Sequence, residues 1–353
     1  MRVGGRARPP GAAHAAQSAS PSGARAARME RFALPGCACT CALAFLAAGA
    51  SAAEPWPARA LRFIMAAPAG SSIDVLGRVL AERLKEALGQ PLVVENLAGA
   101  GGTLAMHAVA RAAPDGHTLG IGFNGPLAFA PFLYTRLGYD PARDLQAVVT
   151  TTSQPNVLAV AAALPVHSVA ELIAHARARP GQLNYASVGA GSSSHLSMEL
   201  MRAMAGIELV HVPYNGSPPA INALASGDAQ LLLAVPTAIA PLAQAGKVRM
   251  LAVSSATRWA LMPELPAIAQ SGLPRFEAYA WNGVVVPTGT PRERVERLNR
   301  VIDVALRDPA VKVRLNAAGL EPVGGTPEAF SALMRAEAAK WGPIIRRTGA
   351  RVD

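Results

Sequence analysis

The chain has 353 residues, a hydrophobic fraction of 51% and aromatics at only 5%. That is enough apolar mass to bury one or two cores of Ala, Leu and Val, and too much for a disordered polymer. The formal net charge is +10, but residues 1–53 hold six Arg against one Glu, and the rest of the chain carries only +5; with no basic run and no aromatics interleaved with Arg or Lys, no nucleic-acid partner is expected, whereas an anionic ligand suits a mildly positive body.

From Met29 the chain reads as an export signal. Arg28 and Arg31 supply the positive start, Ala38 to Ala48 an apolar stretch too short to span a bilayer, and Ala50-Ser51-Ala52 a small-x-small cleavage site. Pro35 and Gly36 argue against a buried N-terminal helix, so a periplasmic protein starting near Ala53 or Glu54 is expected. Residues 1–28 read as an overlong gene start or an extension. Cys37, Cys39 and Cys41 all fall within the signal, which leaves the mature chain no disulfide, thiolate nucleophile or cysteine-bound metal. Leu34-Pro35-Gly36-Cys37 resembles a lipoprotein box but precedes the apolar stretch, so no lipid anchor is expected. No later apolar run reaches spanning length.

The body alternates short apolar runs with amphipathic ones, the pattern of parallel sheets covered by helices and hence of an α/β fold. Leu61 to Pro68 is a predicted strand. Ile73, Leu76, Leu80, Leu84 and Leu88 then follow helical spacing, with Gly89 placed to end the helix. Leu92 to Glu95 reads as a strand, Leu104 to Ala113 as a helix, Pro114-Asp115-Gly116 as a turn and Thr118 to Phe123 as a strand. A second set follows: strands at 157–161, 183–188, 209–213, 229–235 and 248–254, helices at 169–178, 194–205, 220–226 and 239–245. Near the end, Thr290-Pro291-Arg292-Glu293 reads as an N-cap, first-turn Pro and capping Glu, and Thr326-Pro327 opens a last helix.

Two loops follow a strand and open a helix with small residues: Ala66 to Asp74, containing Ala69, Gly70, Ser71 and Ser72, and Ser187 to His195, containing Gly189, Ala190, Ser192 and Ser193. Glycine lets backbone approach a ligand, and a helix start offers free N–H groups and partial positive charge. Facing each other, two such starts would clamp a carboxylate without Arg or Lys; alone, each is equally an ordinary capped βα turn. Gly120 to Gly125 matches G-x-G-x-x-G, but it follows a third strand and runs into Pro126, so no dinucleotide site and no cofactor are expected. Ser192 to His195 suggests a hydrolase, yet no G-x-S-x-G elbow occurs. The histidines show no zinc spacing, so no metal is expected.

Taken with the segments between them, these loops resemble the Bug-type tripartite tricarboxylate receptor family. The signposts run from about Leu61 to Gly349: Val94-Glu95-Asn96 with Gly99-Ala100-Gly101-Gly102, Pro114-Asp115-Gly116-His117, Asn184-Tyr185-Ala186-Ser187, His211-Val212-Pro213-Tyr214, Trp281 and Pro287-Thr288-Gly289-Thr290-Pro291. The resemblance implies a two-lobed periplasmic-binding-protein architecture with crossing interdomain strands: lobe one from 54–155 and 280–353, lobe two from 156–279. It implies a monomeric receptor, not an enzyme, that holds a small carboxylate between the two loops, with Asn156 and Tyr214 lining the cleft, for uptake through a tripartite membrane permease or for sensing. The chain departs from the family where many members carry an acid, at Leu233-Ala234-Val235, and where many carry Lys, at Asn215. A carboxylate with an apolar or hydroxylated body is therefore expected.

Overall fold

The computed structural model describes residues 56–352; the expected signal over residues 1–53, with its three cysteines, lies outside the described residues. In chain order, β1 (Leu61–Met65), β2 (Leu92–Asn96), β3 (Thr118–Phe123) and β4 (Leu145–Pro155) build one sheet. A second sheet takes β5 (Val157–Ala161), β6 (Asn184–Ser187), β7 (Val210–Pro213), β8 (Leu231–Ala234) and β9 (Val248–Val253), and β10 (Tyr279–Pro287) returns to the first. The strand orders are β2-β1-β3-β10-β4 and β7-β6-β8-β5-β9.

The expectation of parallel sheets is corrected to mixed ones. β1 pairs in parallel with β2 and β3, and β6 with β7 and β8, as βα crossovers require. β10, however, runs antiparallel to both β3 and β4, and β5 antiparallel to both β8 and β9. These are passage strands between the sheets, free of the direction that a helical crossover imposes. Where the passages meet, Ser254 ties them together. The Asn156 N–H donates to Ser254 Oγ (2.9 Å), the Ser254 N–H to the Asn156 carbonyl (2.8 Å), and Ser254 Oγ to the Ala278 carbonyl (2.6 Å).

The helices follow from caps and apolar faces. α1 (Ser72–Leu88) buries Ile73, Leu76, Leu80, Leu84 and Leu88 on one side, starts at a Ser71 cap and stops at Gly89, whose positive φ lets its N–H reach the Lys85 carbonyl. After α2 (Thr103–Ala110), the segment 125–133 forms a wide helical turn and the short α3 (Ala130–Leu133), which the sequence pattern had not suggested. α4 (Val169–Ala178) matches its prediction; α5 (Ser193–Ala205), α6 (Ser217–Ser226) and α7 (Pro236–Gln244) differ from theirs by a few residues. α8 (Arg292–Arg307) is followed by the unpredicted α9 (Pro309–Ala317) and by α10 (Pro327–Thr348), capped by Thr326 as expected. Thr290 does not cap α8: its hydroxyl bonds back to the Pro287 carbonyl (2.7 Å) and is thereby withdrawn from the helix start. None of the described helices is long and apolar enough to cross a membrane.

One buried apolar cluster links Phe129, Trp281 and Phe330 beside the first sheet with Leu158, Tyr185 and Leu231 of the second. The sheets therefore share a core on one side. Their strand ends leave a cavity on the other.

Candidate functional site

The cavity is open to solvent and holds about 110 Å³ of space that water can occupy. The loops after β1 and β6 face it with the first turns of α1 and α5. The two loops are built alike. Ser71 and Ser192 adopt nearly the same extended backbone, and each hydroxyl accepts the N–H three residues on, Asp74 at 3.2 Å and His195 at 3.3 Å. That bond leaves the N–H groups of Ser72, Ile73, Ser193 and Ser194 without a partner among the described residues, and all four residues belong to the cavity wall. Unsatisfied first-turn N–H groups are the anion-binding feature of helix starts, and one such helix end is worth roughly 0.3–1 kcal/mol towards an anion at the surface and about 2 kcal/mol when sheltered.

Of the sequence-predicted residues, Ser71, Ser72, Asn156, Gly189, Ser192, Ser193 and Tyr214 come together in this wall. Ala69, Gly70, Asp74, Ala190 and His195 do not. Asp74 is 4% exposed and locks the first loop from behind: its carboxylate accepts from the Gly70 N–H, Arg78 and Asn96, each at 3.0 Å. Burial works against its charge, but Arg78, the Gly70 N–H and Asn96 outweigh it and hold the carboxyl below its ordinary value. Ala190 meets the opposite side of the cleft, where a Cβ added to Gly101 would lie 2.5 Å from the Ala190 carbonyl oxygen. Glycine at 101 is what lets the loop after β2 touch the loop after β6.

His195 is the second loop's counterpart to Asp74. Its Nδ1 accepts the Gly191 N–H (3.0 Å), and its ring stacks at 4.0 Å on His211, whose Nε2 bonds Ser187 Oγ (2.7 Å). Ser192 Oγ donates to the Gly189 carbonyl (2.6 Å). With hydroxyl and Nδ1 both committed to backbone, Ser192 and His195 form no nucleophile–base pair.

Burial, with Arg202 nearby, pushes His195 down to about 4; burial, with His195 itself, pushes His211 down to about 3. Both rings are neutral in the fold, whereas the unfolded chain protonates them near 6.5. The unfolded state thus binds more protons between these values, so stability is full above about pH 7 and falls as pH drops towards 4. Thermal unfolding across that window should show a falling midpoint, and His211→Phe, which keeps a ring in the stack, should flatten the slope. An unchanged slope would place the acid sensitivity elsewhere.

The sequence reading missed much of the cavity floor. Asn124 at the end of β3, Gln154 on β4 and Trp281 and Asn282 on β10 all line it, together with the loop from Ala98 to Gly102. No residue of the wall carries a charge, and no group of acidic, His or Cys residues among the described residues could hold a metal ion.

A family model described as the tripartite tricarboxylate transporter family receptor matches residues 76–350. The fold is similar to an R. palustris protein solved with adipate, at 39% identity and a TM-score of 0.79, over 83% of this chain and 98% of that one. It is also similar to the periplasmic binding protein BugD (30%, TM-score 0.77, 84% and 99%) and to MatC from Rhodopseudomonas palustris with bound malate (31%, TM-score 0.77, 82% and 100%).

Proposed function

The chain belongs to the tripartite tricarboxylate transporter receptor family, solute-binding receptors rather than enzymes, and from that premise we propose that its cavity captures a small carboxylate between the starts of α1 and α5. The observation that carries this reading is the pair of matched serine caps, which leave four N–H groups in one uncharged wall. A carboxylate placed there accepts from two helix starts at once and needs no Arg or Lys. Asn156, whose amide reaches Ser193 Oγ at 3.4 Å, and Tyr214 border the same space. Asp74, through the Gly70 N–H, and His195, through the Gly191 N–H, serve the site by fixing the two loops.

Two of the solved relatives hold adipate and malate, which supports a carboxylate ligand here. The two sheets act as the two lobes, with the boundaries near Asn156 and Ala280. Export to the periplasm through the signal ending near Ala52, and delivery to a tripartite permease or use in sensing, belong to the same proposal. The test is to recover the protein from a periplasmic fraction and identify both its first residue and its retained ligand by mass spectrometry. An N-terminus near Ala53 or Glu54 and a small carboxylate, released unchanged, are expected. An intact Met1 or Met29 would overturn the export reading, and a ligand without a carboxylate the capture reading.

A further inference from the structure

A carboxylate accepts from two helix starts at once only when the starts stand the right distance apart. An N–H bonds an oxygen over about 2.7–3.2 Å, so a gap wider by about 1 Å strips the anion of one set of donors. The spacing of α1 from α5 is therefore part of the site, and it needs a physical stop.

Pro68, in the loop after β1, and Gly216, in the turn between β7 and α6, supply one; both border the cavity. A Cβ added to Gly216 would lie 2.8 Å from Pro68 Cγ and 3.3 Å from Cδ, and a proline ring cannot swing aside as a flexible side chain does. Each partner is fastened to its own loop. The Pro68 carbonyl accepts the N–H of Ser71, the cap of α1, at 3.3 Å. The Gly216 N–H donates to the Val188 carbonyl (3.1 Å), one residue before Gly189, and the Tyr214 N–H to the Ser187 carbonyl (3.0 Å). The contact of ring on glycine thus joins the segment that carries the Ser71 cap to the segment that leads into the Ser192 cap. A side chain at 216 would bring two effects, collision with the ring and backbone strain at φ +94. Only the collision depends on Pro68.

We propose that Gly216 is a positioning residue: with no side chain it seats the Pro68 ring, and this contact sets the gap between the starts of α1 and α5 on which carboxylate affinity depends. This rests on the carboxylate-capture reading above. The test is a cycle of Gly216→Ala, Pro68→Ala and the double variant, with calorimetry on adipate and malate as probes. A second readout is the distance between spin labels on Lys85→Cys in α1 and Asn222→Cys in α6, both exposed positions. Gly216→Ala should weaken the better-bound acid roughly tenfold and lengthen the closest label distance. Pro68→Ala removes the two ring atoms that the new methyl would strike, so the double variant should bind more tightly than Gly216→Ala and regain the shorter distance. Undiminished affinity in Gly216→Ala, or a double variant no better than the single one, would overturn the inference. If neither acid binds the parent chain, it is carboxylate capture that fails for these probes, and the label distances alone then decide: no lengthening in Gly216→Ala, or no recovery in the double variant, would overturn the spacing role.

Discussion

Gly189→Val lowers ligand affinity by roughly tenfold or more and leaves the fold standing: that is the expected result at the second loop. Space is not the obstacle, because a Cβ at this position would meet nothing nearer than the Tyr214 carbonyl oxygen at 3.7 Å. The backbone is. Gly189 has φ +139, a conformation closed to a β-branched residue, at a cost of about 1–3 kcal/mol if held. Relaxing that strain turns the Gly189 carbonyl, which accepts from Ser192 Oγ at 2.6 Å and from the Ser192 N–H at 3.1 Å. The cap then shifts, and the free N–H groups of Ser193 and Ser194 lose their aim. Calorimetry with the retained ligand checks this. Gly181→Ala is the control, a positive-φ glycine (φ +71) in a turn outside the cavity wall. Undiminished affinity in folded Gly189→Val would remove the second loop from the site.

Arg202→Met should cost about 3 kcal/mol of stability, which for a chain of this size lowers the unfolding midpoint by roughly 5 °C. Glu199 is 4% exposed and takes Arg202 Nη1 on both carboxylate oxygens, at 2.6 and 2.7 Å, besides the Tyr185 hydroxyl. Without the guanidinium its charge stays buried with one neutral donor. Most of the loss therefore comes from the uncompensated carboxylate, and Glu199→Gln added to Arg202→Met should restore part of the midpoint. If the double variant is no better than the single one, the ion pair is not what holds this end of α5. Differential scanning calorimetry decides between them.

The elements that were legible in the sequence are those in which burial and apolarity coincide. Val157 to Ala161 is apolar throughout and buried throughout. In α4, Val169, Leu172, Ile173 and Ala176 mark the inner face at helical spacing. β4 and β10 escaped that logic. β4 buries Thr150, Thr151, Thr152 and Gln154, and β10 carries Asn282-Gly283 at a register shift opposite β4, so neither presents the alternation that announces a strand. These two strands carry part of the cavity lining, so Gln154 and Asn282 do not stand out in the sequence as the small-residue loops do. A run such as Thr150 to Gln154 between apolar segments was the available signal, and it reads equally well as a solvated turn. Asp74 and His195 show the converse, residues of the two loops that stand outside the cavity wall. An acid or imidazole that accepts backbone N–H groups from behind a loop looks, in sequence, the same as one that faces the cavity.

Ser254 gives the molecule a spine sewn at a single height. Its backbone and hydroxyl stitch Asn156 on the outgoing passage to Ala278 on the returning one, and Ser254 itself lies at the end of β9. Three strips of backbone fastened at the same level cannot slide past one another without breaking those bonds, but they can fold together like the joints of a book cover. Any swing of one sheet relative to the other would therefore fall on a few φ and ψ angles beside Asn156, Ser254 and Ala278, with the hydrogen bonds of a single serine at the pivot.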